Sequence, residues 1–196
     1  MNVDYYLALT SPYTYMGHDR FEALAAKHGA QVRYRLVDVE RVFSTAGTLP
    51  VKARPPQRQA YRMMELRRWR DRLGLPLNLE PAFFPADANP ASRMVVAAML
   101  EGTAPGPLIG ACLRAVWVEE RNLADTATLI AIAGACGMDG AALMEASGSE
   151  AVQAAIDENT EAAIAAGVFG MPTWKIGEEL FWGQDRLDFL GEALTK

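Results

Sequence analysis

The apolar positions of this chain change period several times, and the changes divide it. Val3 to Thr10 is a short apolar run rich in Tyr, Leu and Val, the pattern of a buried strand, and Ser11-Pro12 stops it. From Tyr13 the spacing becomes three and four. Tyr15, Met16, Phe21, Leu24 and Ala25 share one stripe, which predicts a helix that Gly29 ends. Gln31 to Val39 alternates, with Val32, Tyr34 and Leu36 against Arg33 and Arg35, and reads as a second strand. Two strands joined by a helix of this length predict a parallel pair with a right-handed crossover.

Ser44 to Pro56 carries Gly47, Pro50, Pro55 and Pro56 and predicts a loop. Everything from Gln57 to Ala166 then has helical spacing. Tyr61, Met64, Leu66, Trp69 and Leu73 stripe one helix, closed by Gly74 and Pro76; Asn78 to Asn89 is irregular. Pro90 and Pro107 open further helices, Asp125 and Asp139 cap two more, and Gly137 closes the first of these. Ser147-Gly148-Ser149-Glu150 fits a capping box before a long helix through Ala166. The tail returns to strands, Thr173 to Ile176 and Leu180 to Trp182, around a hairpin at Gly177-Glu178-Glu179. Asp185 to Leu194 is a last helix. The order is βαβ, then about 110 residues of helix, then ββα. One α/β sheet split by a large all-helical insertion accounts for it, and that is the order of the thioredoxin fold.

Composition narrows the class. Of the 196 residues, 51% are hydrophobic and 22% charged, inside the globular range and outside that of disordered or collagen-like chains. No apolar run approaches the ~18 residues of a membrane span, and Met1-Asn2-Val3-Asp4-Tyr5 lacks the basic and apolar regions of a secretory signal, so a cytoplasmic protein is expected. Cys112 and Cys136 form no Cys-x-x-Cys, which leaves neither a zinc knuckle nor a redox dithiol and predicts two reduced core thiols. The net charge of −5 is uneven: residues 52 to 72 hold eight of the 19 basic residues and are +6. That stretch is either a solvated helix face or the wall of a pocket for a small anion. The acidic balance and the absence of a recognition motif argue against nucleic acid.

Candidate chemistry lies at the joints between elements. Ser11-Pro12-Tyr13-Thr14 falls at the predicted start of the first helix, where unpaired N–H groups and the helix dipole favour an anion. Ser11 and Thr14 occupy the two places of the Cys-x-x-Cys found there in thioredoxin-fold redox enzymes. A hydroxyl forms no disulfide, but it donates a hydrogen bond to a thiolate brought by another molecule; the plainer role for Ser11 is a helix cap. Met171-Pro172 precedes the hairpin. Base frequency favours a trans bond, whereas the thioredoxin fold implies a cis proline there, facing the helix start, with the preceding backbone free to pair an extended peptide. Asp185 suits a helix first turn or a ligand's ammonium group. His18 and His28 share no face and predict neither a metal site nor a general base, and no Ser-His-Asp set, phosphate loop or dinucleotide fingerprint occurs.

These segments together resemble a known family. Val3-Asp4-Tyr5-Tyr6 leading to Ser11-Pro12-Tyr13-Thr14-Tyr15, Tyr61 through Arg68-Trp69 to Leu73-Gly74-Leu75-Pro76, Gly167 to Thr173, and Phe181-Trp182-Gly183-Gln184-Asp185-Arg186-Leu187 look like 2-hydroxychromene-2-carboxylate isomerases, relatives of kappa-class glutathione transferases. The resemblance runs the length of the chain. It implies a thioredoxin-like domain of residues 1–43 and 167–196, a helical insertion of 44–166, a homodimer, and glutathione as cofactor in aromatic hydrocarbon catabolism. By motif, Ser11 would hold the glutathione sulfur as thiolate, and Met171, before Pro172, would pair with the cysteinyl backbone. Gln184 and Asp185 would hold the γ-glutamyl end, and Arg58 the glycyl carboxylate. No Asn stands in the Gly47-Thr48-Leu49-Pro50 loop, and Gln184 stands where relatives carry Asn or Ser. The implied reaction isomerises a bicyclic aromatic carboxylate by transient thiolate addition, ring opening and rotation. A kappa-like transferase that conjugates glutathione, or a non-catalytic thiol-binding module, would carry the same residues.

Overall fold

Strand β1 (Asn2–Leu7) holds the centre of the computed structural model, which describes residues 1–195. It pairs in parallel with β2 (Gln31–Leu36) on one side. On the other it pairs antiparallel with β3 (Thr173–Ile176), and β4 (Glu179–Trp182) completes the order β2-β1-β3-β4. Between the two halves run α1 (Pro12–Lys27), α2 (Val39–Ala46), α3 (Pro56–Leu73), α4 (Asn89–Leu100), α5 (Gly106–Trp117), α6 (Thr126–Ala135), α7 (Gly140–Ala146) and α8 (Glu150–Ala165); α9 (Leu187–Ala193) ends the fold. This is the mixed-sheet thioredoxin architecture with a helical insertion that the element order predicts.

Alternation along β1 sorts the two layers. Val3, Tyr5 and Leu7 point to the face covered by α1 and α9, where Tyr5, Phe21 and Trp174 are fully buried with ring centroids 4.7 to 5.4 Å apart. Tyr6 points to the opposite face with Val42 of α2 and Ala163 of α8. Asp4 shares that face; it accepts from Arg33 at 2.7 Å and Arg35 at 3.1 Å, and Arg35 also reaches Asn159 of α8 at 2.8 Å. Because β1 is buried on both faces, its sequence is an apolar run broken by the ion-paired Asp4 rather than an alternating one. The larger core continues without a break from the sheet through α1 into α4, α5 and α6.

Four local readings change. The second strand stops at Leu36, and Val39 opens α2 instead, because Asp38 caps it by accepting the Arg41 N–H at 3.0 Å and Gly47 closes it in a left-handed conformation. Val37 and Val39 prolong the strand alternation past its end, which hides this short helix. In α3 the buried side of the stripe is Met63, Leu66, Trp69 and Leu73, while Tyr61 and Met64 face solvent. The cap of α8 is Ser149, whose hydroxyl accepts from Val152; Ser147 ends α7, donating to the Met144 carbonyl at 2.7 Å. The last helix is preceded by a separate 3-10 turn, Gln184–Arg186.

Trp174 is the largest side chain shared by sheet and α1. Trp174→Ala should lower the unfolding free energy by about 3–5 kcal/mol, measured by denaturant titration; a loss below about 1 kcal/mol would contradict the packing described.

Candidate active site

Three backbone segments far apart in sequence converge at the start of α1. Ser11 is its N-cap: the hydroxyl accepts the Thr14 N–H at 3.2 Å, and Pro12 stands in the first turn, where a missing N–H costs nothing. The same hydroxyl donates to the Met171 carbonyl at 3.1 Å, across 160 residues. The Met171–Pro172 bond is cis, as is Phe84–Pro85, which the sequence did not single out. The Pro172 carbonyl in turn accepts the Gly183 N–H at 2.9 Å, which binds the third segment to the second.

That third segment is the 3-10 turn. Gly183 has φ +100°, a conformation that L side chains rarely adopt, and the Asp185 carboxylate folds back to where a Cβ would stand. Asp185 is partly exposed and pairs with Arg186 at 2.9 Å. Gln184 is buried: its Oε1 accepts from Arg20 of α1 at 2.6 Å, and its own Cβ lies 3.0 Å from where a Cβ on Gly17 would be. A glycine on α1 thus lets the turn seat directly on the helix.

Of the six sequence-predicted residues, Ser11, Met171, Pro172, Gln184 and Asp185 come together, but Gln184 turns its side chain under α1. Arg58 is exposed on the first turn of α3, next to Arg54. Among the described residues no acceptor meets the N–H of Tyr13 or of Met171. The site therefore presents a hydroxyl, two free backbone donors and the positive end of α1 to one space. This arrangement stabilises an anion.

Tyr13 forms the wall toward the insertion. Burial pushes its phenol above the ordinary range, against the pull of Arg62 and Arg54 and with the help of Glu65 and Asp185, so it stays neutral near pH 7. Arg62 and Tyr13 were missed as site residues. The available signal was Arg62 itself, a cation four residues before Leu66 on an otherwise apolar stripe.

The remaining polar groups have structural roles. His18 is buried, with Nε2 3.0 Å from the Gly106 carbonyl and Nδ1 3.5 Å from the Tyr5 hydroxyl. It borders a cleft of about 470 Å³ between α1, α5 and α6 that lies on another face of α1 from Ser11. Burial pushes the Cys112 thiol up to about 12 and raises Cys136 as well. Neither cysteine sits at the start of α1. Among the described residues no cluster of His, Cys, Asp and Glu is arranged for a metal, and no helix is long and apolar enough to cross a membrane.

Residues 2–195 match the model of the DsbA-like thioredoxin domain, and the chain belongs to that family. Within it, the chain falls among the 2-hydroxychromene-2-carboxylate isomerase relatives. It is 32% identical over its full length to the 2-hydroxychromene-2-carboxylate isomerase of Pseudomonas putida, covering 95% of that protein. The corresponding enzyme of Pseudomonas sp. strain C18 is also 32% identical, over 98% of this chain and 89% of its own. A solved structure of a 2-hydroxychromene-2-carboxylate isomerase superposes with a TM-score of 0.80 at 30% identity, covering all of this chain and 95% of that one. The cytosolic disulfide reductase DsbM of Pseudomonas aeruginosa, solved with GSH, shares the fold at a TM-score of 0.70 and 20% identity, each chain fully covered.

Removing the cap is expected to destabilise the fold modestly. Ser11→Ala should cost about 1–2 kcal/mol, a fall in Tm of roughly 2–8 °C, while Ser11→Thr retains most of it. Scanning calorimetry of both variants checks this. In the folded protein Cys112 should resist alkylation at pH 8, because the thiolate is the reactive form and burial suppresses it. Mass-spectrometric labelling before and after denaturation reads that directly.

Proposed function

We propose that the protein is a glutathione-dependent isomerase of 2-hydroxychromene-2-carboxylate or a similar bicyclic aromatic carboxylate. One observation carries the reading: Ser11 stands in place of a redox cysteine, on the α1 start and within hydrogen-bond reach of the backbone before a cis proline. The site thus has no thiol of its own, and a hydroxyl and helix start suited to holding one. Full-length identity to enzymes named for this isomerisation supports the same class.

The residues fit glutathione. Among the described residues the Met171 N–H meets no acceptor and its carbonyl takes a side-chain bond only from Ser11; both suit pairing with the cysteinyl backbone next to Pro172. The partly exposed Asp185 suits the γ-glutamyl ammonium, and Gln184 would anchor that end of the site through its contacts with α1. Arg58, with Arg54 beside it, suits the glycyl carboxylate. Gln184 Nε2 and Thr14 Oγ1, buried and without a protein partner, are further polar groups on the same elements.

When bound, glutathione supplies the nucleophile, a thiol that leaves the reaction unchanged. The chain's part is to hold that sulfur as thiolate. Ser11 would turn its hydroxyl hydrogen from the Met171 carbonyl to the sulfur, the Tyr13 N–H would point at it, and the α1 dipole would add its field. Lowering a thiol pKa from ~8.5 by two units requires about 2.7 kcal/mol, within reach of one charge-assisted hydrogen bond and a helix terminus. Tyr13 would form an apolar wall for the aromatic ring. A homodimer is part of the same reading.

Purified protein should interconvert 2-hydroxychromene-2-carboxylate and its ring-opened isomer only with glutathione present, and glutathione should be recovered intact. Ser11→Ala should reduce kcat about 10²- to 10³-fold with glutathione still bound, as for the loss of one preorganised donor. Consumption of glutathione into a stable adduct would instead mark a conjugating transferase; no glutathione binding at millimolar concentration would mark a thiol-binding site that has lost its role.

A further inference from the structure

The strongest unexplained feature near the site is Arg62. It sits one turn before Leu66 on the inner side of α3, partly buried, and makes no ion pair with any described residue. The acids that act on neighbouring Tyr13 are engaged elsewhere: Glu65 with Arg68 at 2.6 Å and Asp185 with Arg186 at 2.9 Å. The polar neighbour of its guanidinium is the Met63 sulfur, 3.9 Å away, a weak acceptor. Its plane lies over the Phe84 ring, 5.5 Å from the centroid, and Phe84 packs on the buried Trp117 at 4.9 Å. Its charge acts on the Tyr13 phenol, two residues from Ser11.

A desolvated cation without a counter-charge is costly to keep, and burial already pulls the Arg62 guanidinium below its usual range. An anion placed there removes that cost. The fork of a guanidinium matches a carboxylate with two parallel hydrogen bonds, and the Tyr13 ring within reach of its field offers aromatic surface for a flat apolar body. Arg54 is turned away to the Leu49 carbonyl at 2.8 Å, so it does not compete for the same group.

We infer that Arg62 is the carboxylate anchor for an aromatic acid substrate seated on the insertion side of the Ser11 site, with its ring beside Tyr13. This rests on the proposed isomerase reading and adds its specificity-determining residue. Arg62 on α3 and Ser11 on α1 would then grip opposite ends of the reaction: one fixes the acid, the other the sulfur. Neither duty falls to Arg58, which faces solvent.

The test uses naphthoate and its neutral analogue naphthamide, titrated calorimetrically into the full chain with glutathione present. Wild type should bind naphthoate about 10- to 100-fold tighter than naphthamide. Arg62→Met should erase that preference while leaving naphthamide and glutathione affinities within about twofold, and Arg62→Lys should restore part of it. A preference that survives in Arg62→Met, an equal fall in glutathione affinity, or no naphthoate binding to wild type at millimolar concentration overturns the inference. The two readings fail separately. A wild type that does not turn over 2-hydroxychromene-2-carboxylate, yet shows the Arg62-dependent preference, loses the isomerase reading and keeps the anchor. A wild type that turns it over, with KM unchanged in Arg62→Met, loses the anchor and keeps the isomerase.

Discussion

Everything at the site depends on the pairing of β1 with β3, which joins residue 4 to residue 175 and residue 6 to residue 173. Without it the first strand would have a partner on one side and no cover for Tyr5, and α1 would lack Trp174 to pack against. The pairing also brings the loop before β3 to the start of α1, so the Ser11 hydroxyl can reach the Met171 carbonyl. A loop of some 160 residues must close before any of these contacts forms. The helices between, packed into the same core as the sheet, offset that closure entropy by burying α4, α5 and α6 against α1.

The joint so formed is electrostatically one-sided. A helix start, a hydroxyl and two N–H donors without an acceptor among the described residues meet near Ser11, Arg62 adds its charge near Tyr13, and the acids Glu65 and Asp185 are tied to neighbouring arginines. The sum of these fields favours anions at two separate points, near Ser11 and near Arg62. Low dielectric at a half-buried wall strengthens both. In a chain whose overall charge is −5, this concentration of positive field matters to acidic ligands, since the surrounding surface repels them.

The long elements were legible because their signals are local and repeated. The apolar run of β1, the alternation of β2 and the stripe of α1 fix strand, strand and helix through burial alone, and Asp125, Asp139 and Ser149 mark helix starts through their own side chains. The failures occurred where local signals conflict. Val37 and Val39 continue a strand pattern into a helix that Asp38 starts, and Ser147 competes with Ser149 for one cap. In α3, Tyr61 and Met64 are apolar by type yet exposed, while Arg62 is charged yet partly buried. Residue type could not order that helix, because only one edge of it, Met63, Leu66, Trp69 and Leu73, packs on the core.

By itself the sequence determined the order of elements, the thioredoxin class, the serine in place of a redox cysteine and the family to which the chain belongs. These follow from periodicity, spacing and motif, which act over a few neighbouring residues. Only the tertiary structure decided that Gln184 turns its side chain to α1, and that Arg62, without an ion pair among the described residues, is partly buried over the Phe84 ring. Which side of a helix is buried depends on contacts between elements far apart in the chain, and no local pattern encodes them.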